Sequence, residues 1–212
     1  MDKSGRGQWG AWKVQALVPE AAFLVGEAAR EHSQYGEEGI FQALFAKIGT
    51  ANRWCLECGA GDGVTLSNTK RFRDQGWSAV LIEADGSEFA KLTQHASATV
   101  HCVHRKVSGN DLDVLLTEVG APTDMDLGVI DVDGIDWYLW NEMIVYRPRV
   151  MMVECNHHDH PVPPVGASSG QAGFTAIVEL GKAKNYVPVI RTAVNVIFVD
   201  APTWNAYLAA RG

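Results

Sequence analysis

The stretch from Arg53 to Val64 constrains the fold more than any other part of the chain. It begins as a short apolar run that carries Glu57, and it continues directly into three alternating glycines, Gly59, Gly61 and Gly63. Because glycine has no Cβ, its backbone adopts positive φ freely and allows another group to approach the main chain closely. The stretch therefore predicts a buried strand that leads into a tight glycine loop.

The residues around this loop indicate which kind of ligand it can bind. A helix predicted from Thr65 to Gly76 would offer unpaired N–H groups to an anionic or nucleotide-like ligand. The glycine spacing differs from the Gly-x-Gly-x-x-Gly pattern of dinucleotide sites. A second apolar run, residues 79–83, ends in Glu83, and an acid at this position accepts ribose hydroxyls in nucleoside-binding folds. Glu57 and Glu83 together predict a nucleoside site.

The combination of Glu-x-Gly-x-Gly-x-Gly with a following strand that ends in Glu resembles the class I S-adenosylmethionine-dependent methyltransferases. Three more elements are similar to the FkbM-type branch of these enzymes: Ser-Gln-x-Gly-Glu-Glu at residues 33–38, Ile-Asp-Val-Asp-Gly-Ile-Asp at residues 130–136, and Glu-x-Asn at residues 154–156. The resemblance covers roughly residues 33–200. It implies S-adenosylmethionine as cofactor and a small molecule as methyl acceptor, with the acceptor group expected to be a hydroxyl.

The resemblance also implies where the cofactor binds. Ser33 and Gln34 are expected near its amino-acid end, and Val107 and Ser108 are expected to flank the adenine. The complete predicted cofactor set is Ser33, Gln34, Glu57, Gly59, Ala60, Gly61, Glu83, Ala84, Val107, Ser108 and Asp131.

The order of apolar runs and helical patterns predicts an α/β fold. Strands that alternate with helices favour a Rossmann-like, doubly wound and mostly parallel sheet, here of seven strands. The last two strands, predicted at residues 186–192 and 194–200, are joined too tightly for a crossover, so we expect an antiparallel C-terminal hairpin. Residues 1–32 are predicted to form a tail and a helix over residues 19–30, which together are a candidate lid. Residues 33–212 are predicted to form the cofactor-binding domain.

The composition excludes several classes of protein. Of the 212 residues, 47% are hydrophobic and 20% are charged, which is typical of a folded globular domain. The net charge of −7 argues against a nucleic-acid partner, because binding phosphates requires a basic surface. No apolar run is long enough to span a bilayer, and the first residues lack the apolar core of a secretory signal. We therefore expect a cytoplasmic protein with no membrane partner. A homodimer is one assembly that the sequence allows.

Polar side chains also follow the fourth and fifth predicted strands of the cofactor-binding domain. Asp131 and Asp133 come after the fourth strand, and Glu154, Asn156 and His157 come after the fifth. Ligands of open α/β sheets bind outside the carboxyl ends of the strands, so we expect these two groups to form one reaction site.

Three interpretations of this second cluster are open. In the first, Asp131, Asp133, Glu154, Asn156 and His157 bind a divalent metal such as Mg²⁺, Mn²⁺ or Fe²⁺, as in metal-dependent O-methyltransferases. In the second, Asp131, His157 or His158 acts as a general base without a metal. In the third, the acids only cap helices and anchor loops.

Two other functions compete with methyl transfer. An NAD(P)-dependent oxidoreductase would use a similar loop, but the glycine spacing, Glu57 ahead of the loop and the antiparallel hairpin disfavour it. A protein that binds S-adenosylmethionine for different chemistry is the other alternative.

Overall fold

The computed structural model describes residues 14–156, 158–159, 161–162 and 171–211. In this part of the chain, eight strands form one sheet. They are β1 (Gln15–Ala16), β2 (Trp54–Cys58), β3 (Ser78–Glu83), β4 (Val100–His104), β5 (Leu127–Ile130), β6 (Val150–Glu154), β7 (Tyr186–Arg191) and β8 (Asn195–Asp200).

Seven α-helices are found in the described residues. They are α1 (Glu37–Ile48), α2 (Lys70–Asp74), α3 (Gly86–Leu92), α4 (Asp111–Val119), α5 (Asp136–Glu142), α6 (Phe174–Ala183) and α7 (Ala201–Ala209). Two short 3₁₀ helices span Pro19–Leu24 and Thr93–His95. Among these helices, none combines the length and the apolarity that crossing a membrane requires.

The strand order is β1-β7-β8-β6-β5-β2-β3-β4. The strands from β2 to β6 pair in parallel with their neighbours, while β8 runs antiparallel to both β6 and β7. The predicted fold class is therefore confirmed, including the C-terminal hairpin. The strand beyond the seven expected is β1, a two-residue strand that pairs with β7 at the edge of the sheet.

The core lies on both faces of the sheet. In β2, Leu56 and Cys58 pack into one apolar cluster, whereas Cys55 packs into the cluster on the opposite side. Successive side chains of a strand point to opposite faces, so a strand covered on both sides is apolar at nearly every position. This explains the continuous apolar runs in the sequence.

Two predicted helices are wrong in extent. The helix expected over residues 19–30 is a 3₁₀ helix that ends at Leu24. The helix expected from Thr65 begins only at Lys70, because the residues before it are held as a loop by buried Glu57. The sequence also gave no expectation of α7, which follows β8 directly.

Candidate active site

The glycine loop has a packed side and an open side. At Gly59, φ is 88° and a Cβ atom would lie only 1.7 Å from the carbonyl oxygen of Asp131, so this glycine is required by the neighbouring strand end. At Gly61, φ is 53° and a Cβ atom would meet nothing within 4 Å. A ligand therefore has room to approach the main chain at Gly61.

Glu57 is buried and its carboxylate is engaged by the chain itself. It accepts hydrogen bonds from the Ser67 hydroxyl at 2.7 Å, the Asn68 amide N–H at 2.6 Å and the Thr69 hydroxyl at 2.6 Å. Of these donors, the Asn68 N–H belongs to the main chain, and its bond to Glu57 keeps the residues before Lys70 in a loop. Glu57 thus acts on a ligand through the loop it holds, residues 64–69.

Glu83 lies at the end of β3, beside the open side of the loop. Its carboxylate accepts hydrogen bonds from the Gly61 N–H and from the Asp85 N–H, each at 2.7 Å. Each carboxylate oxygen has two lone pairs, so both oxygens can still accept a hydroxyl donor. The next residue, Ala84, uses its carbonyl oxygen for a contact of 3.2 Å with the His104 ring.

Residues 33–37, which we call the crossing segment, connect the two halves of the site. Ser33 forms an isolated parallel bridge with Leu66 in the loop after the glycines. At the other end, the Glu37 carboxylate accepts a hydrogen bond of 2.8 Å from the Asn195 side chain at the start of β8. The crossing segment therefore runs over the carboxyl edge of the sheet.

The remaining predicted cofactor residues lie in the same region of the fold. Gln34 is exposed on the crossing segment. Ala60 is buried, and its N–H donates to the Ile82 carbonyl at 3.0 Å. Val107 is buried and Ser108 is exposed, both in the loop that follows β4. The carboxyl ends of β2, β3 and β4 thus bring the predicted cofactor residues to one edge of the sheet.

The second cluster contains a pair of carboxyl groups in direct contact. Asp131 follows β5 and Glu154 ends β6, and their side chains hydrogen-bond to each other. The Gln171 side chain donates a further hydrogen bond to Glu154. Burial raises the pKa of Glu154, and the nearby charge of Asp131 raises it further. Burial also raises the pKa of Asp131, with Asp136 as the next cause. The raised pKa of both groups favours the protonated form of the pair.

The other acids of this cluster differ in role. The Asp136 carboxylate accepts hydrogen bonds from the N–H groups of Val132 at 2.8 Å and Gly134 at 2.9 Å, so it anchors the loop ahead of α5. Asp133 is exposed and has a φ of 59°.

Only part of the predicted metal set can be compared with the residues that the structure describes. Within them, a group of three His, Cys, Asp or Glu side chains close enough to share an ion occurs only at Glu31, His32 and Glu38. The Asn156 side-chain oxygen accepts the N–H of His158 at 2.9 Å. His157, predicted both as a ligand and as a base, lies outside the described residues, so the metal interpretation stays a prediction.

Sequence reasoning missed two residues of this site, Asn68 and Tyr35. Asn68 is buried in the loop that Glu57 holds. Burial raises the pKa of Tyr35, and the charges of Glu37 and then Glu154 raise it further. The available signal for Tyr35 was its position inside the motif at residues 33–38.

The fold is similar to that of solved methyltransferase structures. A putative O-methyltransferase from Klebsiella pneumoniae matches with a TM-score of 0.51 and 15% identity, covering 86% of this chain and 87% of that one. A TehB-like S-adenosylmethionine-dependent methyltransferase from Corynebacterium glutamicum matches with a TM-score of 0.47 and 13% identity, covering 78% of this chain and 88% of that one. No protein-family model matches the sequence, and no curated protein matches it.

At this level of identity the similarity shows the fold. The chain has a Rossmann-like fold similar to that of the Klebsiella pneumoniae protein. The FkbM-type resemblance rests on the sequence motifs alone and stays a prediction.

Proposed function

We propose that the protein is an S-adenosylmethionine-dependent methyltransferase of the FkbM-like branch that methylates a hydroxyl group of a small molecule. The observation that carries the proposal is the position of Glu83. Its carboxylate ends the strand next to the glycine loop and touches the main chain at Gly61, where the loop is open. A carboxylate in this place accepts the two hydroxyls of a ribose.

The hydrogen bonding of the loop supports a nucleoside and argues against a dinucleotide. The N–H groups of Gly59 and Ala60 are both donated to the Ile82 carbonyl, and that of Gly61 is donated to Glu83. The next helix begins only at Lys70. A pyrophosphate would need free loop amides and a helix N-terminus at this point, so an NAD(P)-dependent reaction is disfavoured.

The chain's own residues would then provide binding, orientation and a base. Bound S-adenosylmethionine supplies a methyl group on a positively charged sulfur. Little covalent machinery is needed beyond alignment of the acceptor with that methyl group. Asp131 is the candidate base, because a carboxylate with a raised pKa accepts the proton of a hydroxyl more readily than an ordinary aspartate does. His158 is exposed and is the second candidate.

Thermal shift and calorimetric titration with four ligands test the cofactor. We expect S-adenosylmethionine and S-adenosylhomocysteine to stabilise the protein and NAD and NADP to leave its Tm unchanged. Glu83→Ala should abolish the shift, whereas Glu118→Ala, on the exposed side of α4, should retain it. Stabilisation by a nicotinamide nucleotide alone would overturn the proposed function.

Assistance by Mg²⁺, Mn²⁺ or Fe²⁺ at Asp131 and Glu154 is a separate part of the proposal. It is tested by adding EDTA, and then each ion, to a methyl-transfer assay against a panel of small hydroxylated acceptors. Loss of turnover with EDTA and recovery with one ion would support the metal. Turnover that is indifferent to EDTA would leave Asp131 as a base without a metal.

A further inference from the structure

A pocket of about 280 Å³ opens on the surface between α1, α2 and the chain that leads into β2 and β3; we call it the amino-end pocket. None of the described residues that line it belongs to the candidate active site. The glycine loop follows the opposite end of β2, and a strand of five residues is about 16 Å long. The amino-end pocket is therefore separate from the site at the carboxyl ends of the strands.

The floor of the amino-end pocket is aromatic. Phe45, Phe72 and Trp77 line it, and their ring centroids lie 4.8–5.8 Å apart at interplanar angles of 57–78°. The three side chains are buried, so their mutual contacts fix the positions of the rings. Rings fixed in this way offer a rigid apolar surface to a planar ligand, which gains both buried area and ring–ring attraction.

The polar side chains of the amino-end pocket supply hydrogen-bond donors and one positive charge. Among the described lining residues, Arg53 is the charged one, and Gln42, Thr50 and Gln75 are neutral donors. Within the described part of the chain, none of these four side chains forms a hydrogen bond or an ion pair. An anion in the pocket therefore meets available donors and no carboxylate of the lining.

Arg53 is held at the pocket by an unfavourable backbone conformation. Its φ is 56°, a value that a residue with a Cβ atom rarely adopts. Its N–H donates to the Asp126 carboxylate at 2.7 Å, and its carbonyl oxygen accepts the Ser78 N–H at 2.9 Å. Asp126 is already paired with Arg149, so the charge of the Arg53 side chain is not neutralised by it. Strained residues that the surrounding structure holds in place are concentrated at ligand sites.

An aromatic floor beside an arginine matches one class of small molecule. A guanidinium pairs with a carboxylate through two parallel hydrogen bonds, and the rings bury a planar apolar body. An inorganic anion would leave the rings unused, and a neutral ring would leave Arg53 without a counter-ion. The volume lies just below the range of about 300–1,000 Å³ that is common for ligand pockets, which favours a ligand with a single ring system.

We propose that the amino-end pocket is a second ligand site, which binds a small aromatic carboxylate. Arg53 pairs with the carboxylate, and Phe45, Phe72 and Trp77 contact the ring. The ligand takes no part in the methyl transfer of the proposed function, because the pocket lies at the other end of the strands. The inference therefore stands or falls independently of that function.

An NMR titration of the full chain with three probes tests the assignment. Benzoate has the ring and the charge, benzamide has the ring alone, and acetate has the charge alone. We expect benzoate to shift the indole N–H signal of Trp77, which is assigned by its absence from the spectrum of Trp77→Phe. Benzamide and acetate should bind about tenfold or more weakly than benzoate, because each makes only one of the two interactions.

Three variants identify the group that binds the carboxylate. Arg53→Gln should weaken benzoate binding about tenfold or more and leave benzamide binding unchanged. Arg53→Gly should show the same loss with a Tm no lower than that of the wild type, because glycine adopts a positive φ without strain. Lys47→Gln is the matched control: it removes a positive charge from the exposed last turn of α1, outside the lining of the pocket, and should bind benzoate as the wild type does.

Any of four other outcomes would overturn the second ligand site. They are equal affinity for benzoate and benzamide, wild-type affinity of Arg53→Gln for benzoate, an equal loss in Lys47→Gln, and a benzoate titration that leaves the Trp77 signal in place. The thermal-shift experiment with S-adenosylmethionine measures a different site. Its failure would overturn the proposed function and leave the benzoate result unaffected, so the two failures are distinguishable.

Discussion

At the scale of single residues, the environment gives two buried glutamates different tasks. Glu57 receives three hydrogen bonds from the loop that follows the glycines. Glu154 instead contacts another acid, Asp131, and burial raises the pKa of both carboxyl groups. The residue type is the same in both places. The number of donors around each carboxyl group decides whether it anchors the chain or remains available for proton transfer.

Glu57→Ala tests the anchoring role. The substitution removes the acceptor for three donors and leaves Ser67, Asn68 and Thr69 without their partner, so we expect a loss of about 3 kcal/mol in the free energy of unfolding. Urea denaturation measures this loss. Glu118→Ala on the exposed face of α4 is the control and should change stability by less than about 0.5 kcal/mol. A similarly small effect of Glu57→Ala would contradict the anchoring role.

The pH dependence of stability tests the carboxyl pair. Because the pKa of Glu154 is raised from 4.5 in the folded state, the folded protein binds more protons than the unfolded chain above this pH. The contribution of Glu154 to the free energy of unfolding is fully present below pH 4.5 and is lost as the pH rises towards the folded pKa. Stability therefore falls with rising pH. Glu154→Gln cannot lose a proton and should flatten this decline in denaturation curves between about pH 5 and 8. An unchanged slope would show that Glu154 is ionised throughout this range.

At the scale of elements, the glycine loop is shaped from two sides. The carbonyl oxygen of Asp131, directly after β5, packs against the loop at Gly59, and the loop is open at Gly61. Glu83 at the end of β3 holds the open part by a hydrogen bond to its main chain. The glycines therefore serve different purposes, although the sequence pattern presents them as equivalent.

A pair of alanine substitutions separates these purposes. Gly59→Ala would place a Cβ atom 1.7 Å from the Asp131 carbonyl oxygen, so we expect the variant to unfold or to lose several kcal/mol of stability, as overpacking at a fixed backbone does. Gly61→Ala meets no neighbour and should cost about 1 kcal/mol through its positive φ. It should, however, weaken S-adenosylhomocysteine binding in calorimetry. Equal stability of the two variants would contradict the difference between the two sides.

At the scale of the whole molecule, the carboxyl ends and the amino ends of the parallel strands have different roles. At the carboxyl ends lie the glycine loop, Glu83, the crossing segment and the carboxyl pair. At the amino ends of the strands, the buried Asp126 carboxylate accepts hydrogen bonds of 2.7–3.0 Å from the N–H groups of Ala51, Asn52 and Arg53. It also pairs with Arg149 at 2.6 Å. That second network connects the start of β2 with the start of β6 and contains no residue of the candidate site.

Asp126→Ala tests this separation. Removing one partner of a buried ion pair leaves Arg149 uncompensated, so we expect a loss of about 3–5 kcal/mol in stability. The affinity of the remaining folded protein for S-adenosylhomocysteine should stay within about twofold of wild type, because the two sites share no partners. Denaturation and calorimetry below the transition temperature measure the two quantities. A large loss of affinity would show that the two edges are coupled.

The sequence by itself determined the order of strands and helices, and it predicted the edge of the sheet at which a ligand site is expected. Strands that are buried on both faces are visible in the sequence as continuous apolar runs. An antiparallel hairpin follows from a link that is too short for a crossover. Asp131 and Glu154 could be placed together from sequence because the carboxyl ends of neighbouring parallel strands meet at one edge of the sheet.

Only the tertiary structure decided which polar groups are occupied by the chain and which remain available to a ligand. Glu37 bonds to Asn195, 158 residues away, and no local pattern encodes such a partner. The same applies to Glu57, whose bonds delay the following helix to Lys70 and leave Asn68 buried with an unused oxygen. Local periodicity reports burial, whereas hydrogen-bond partners depend on distances between segments that only folding brings together.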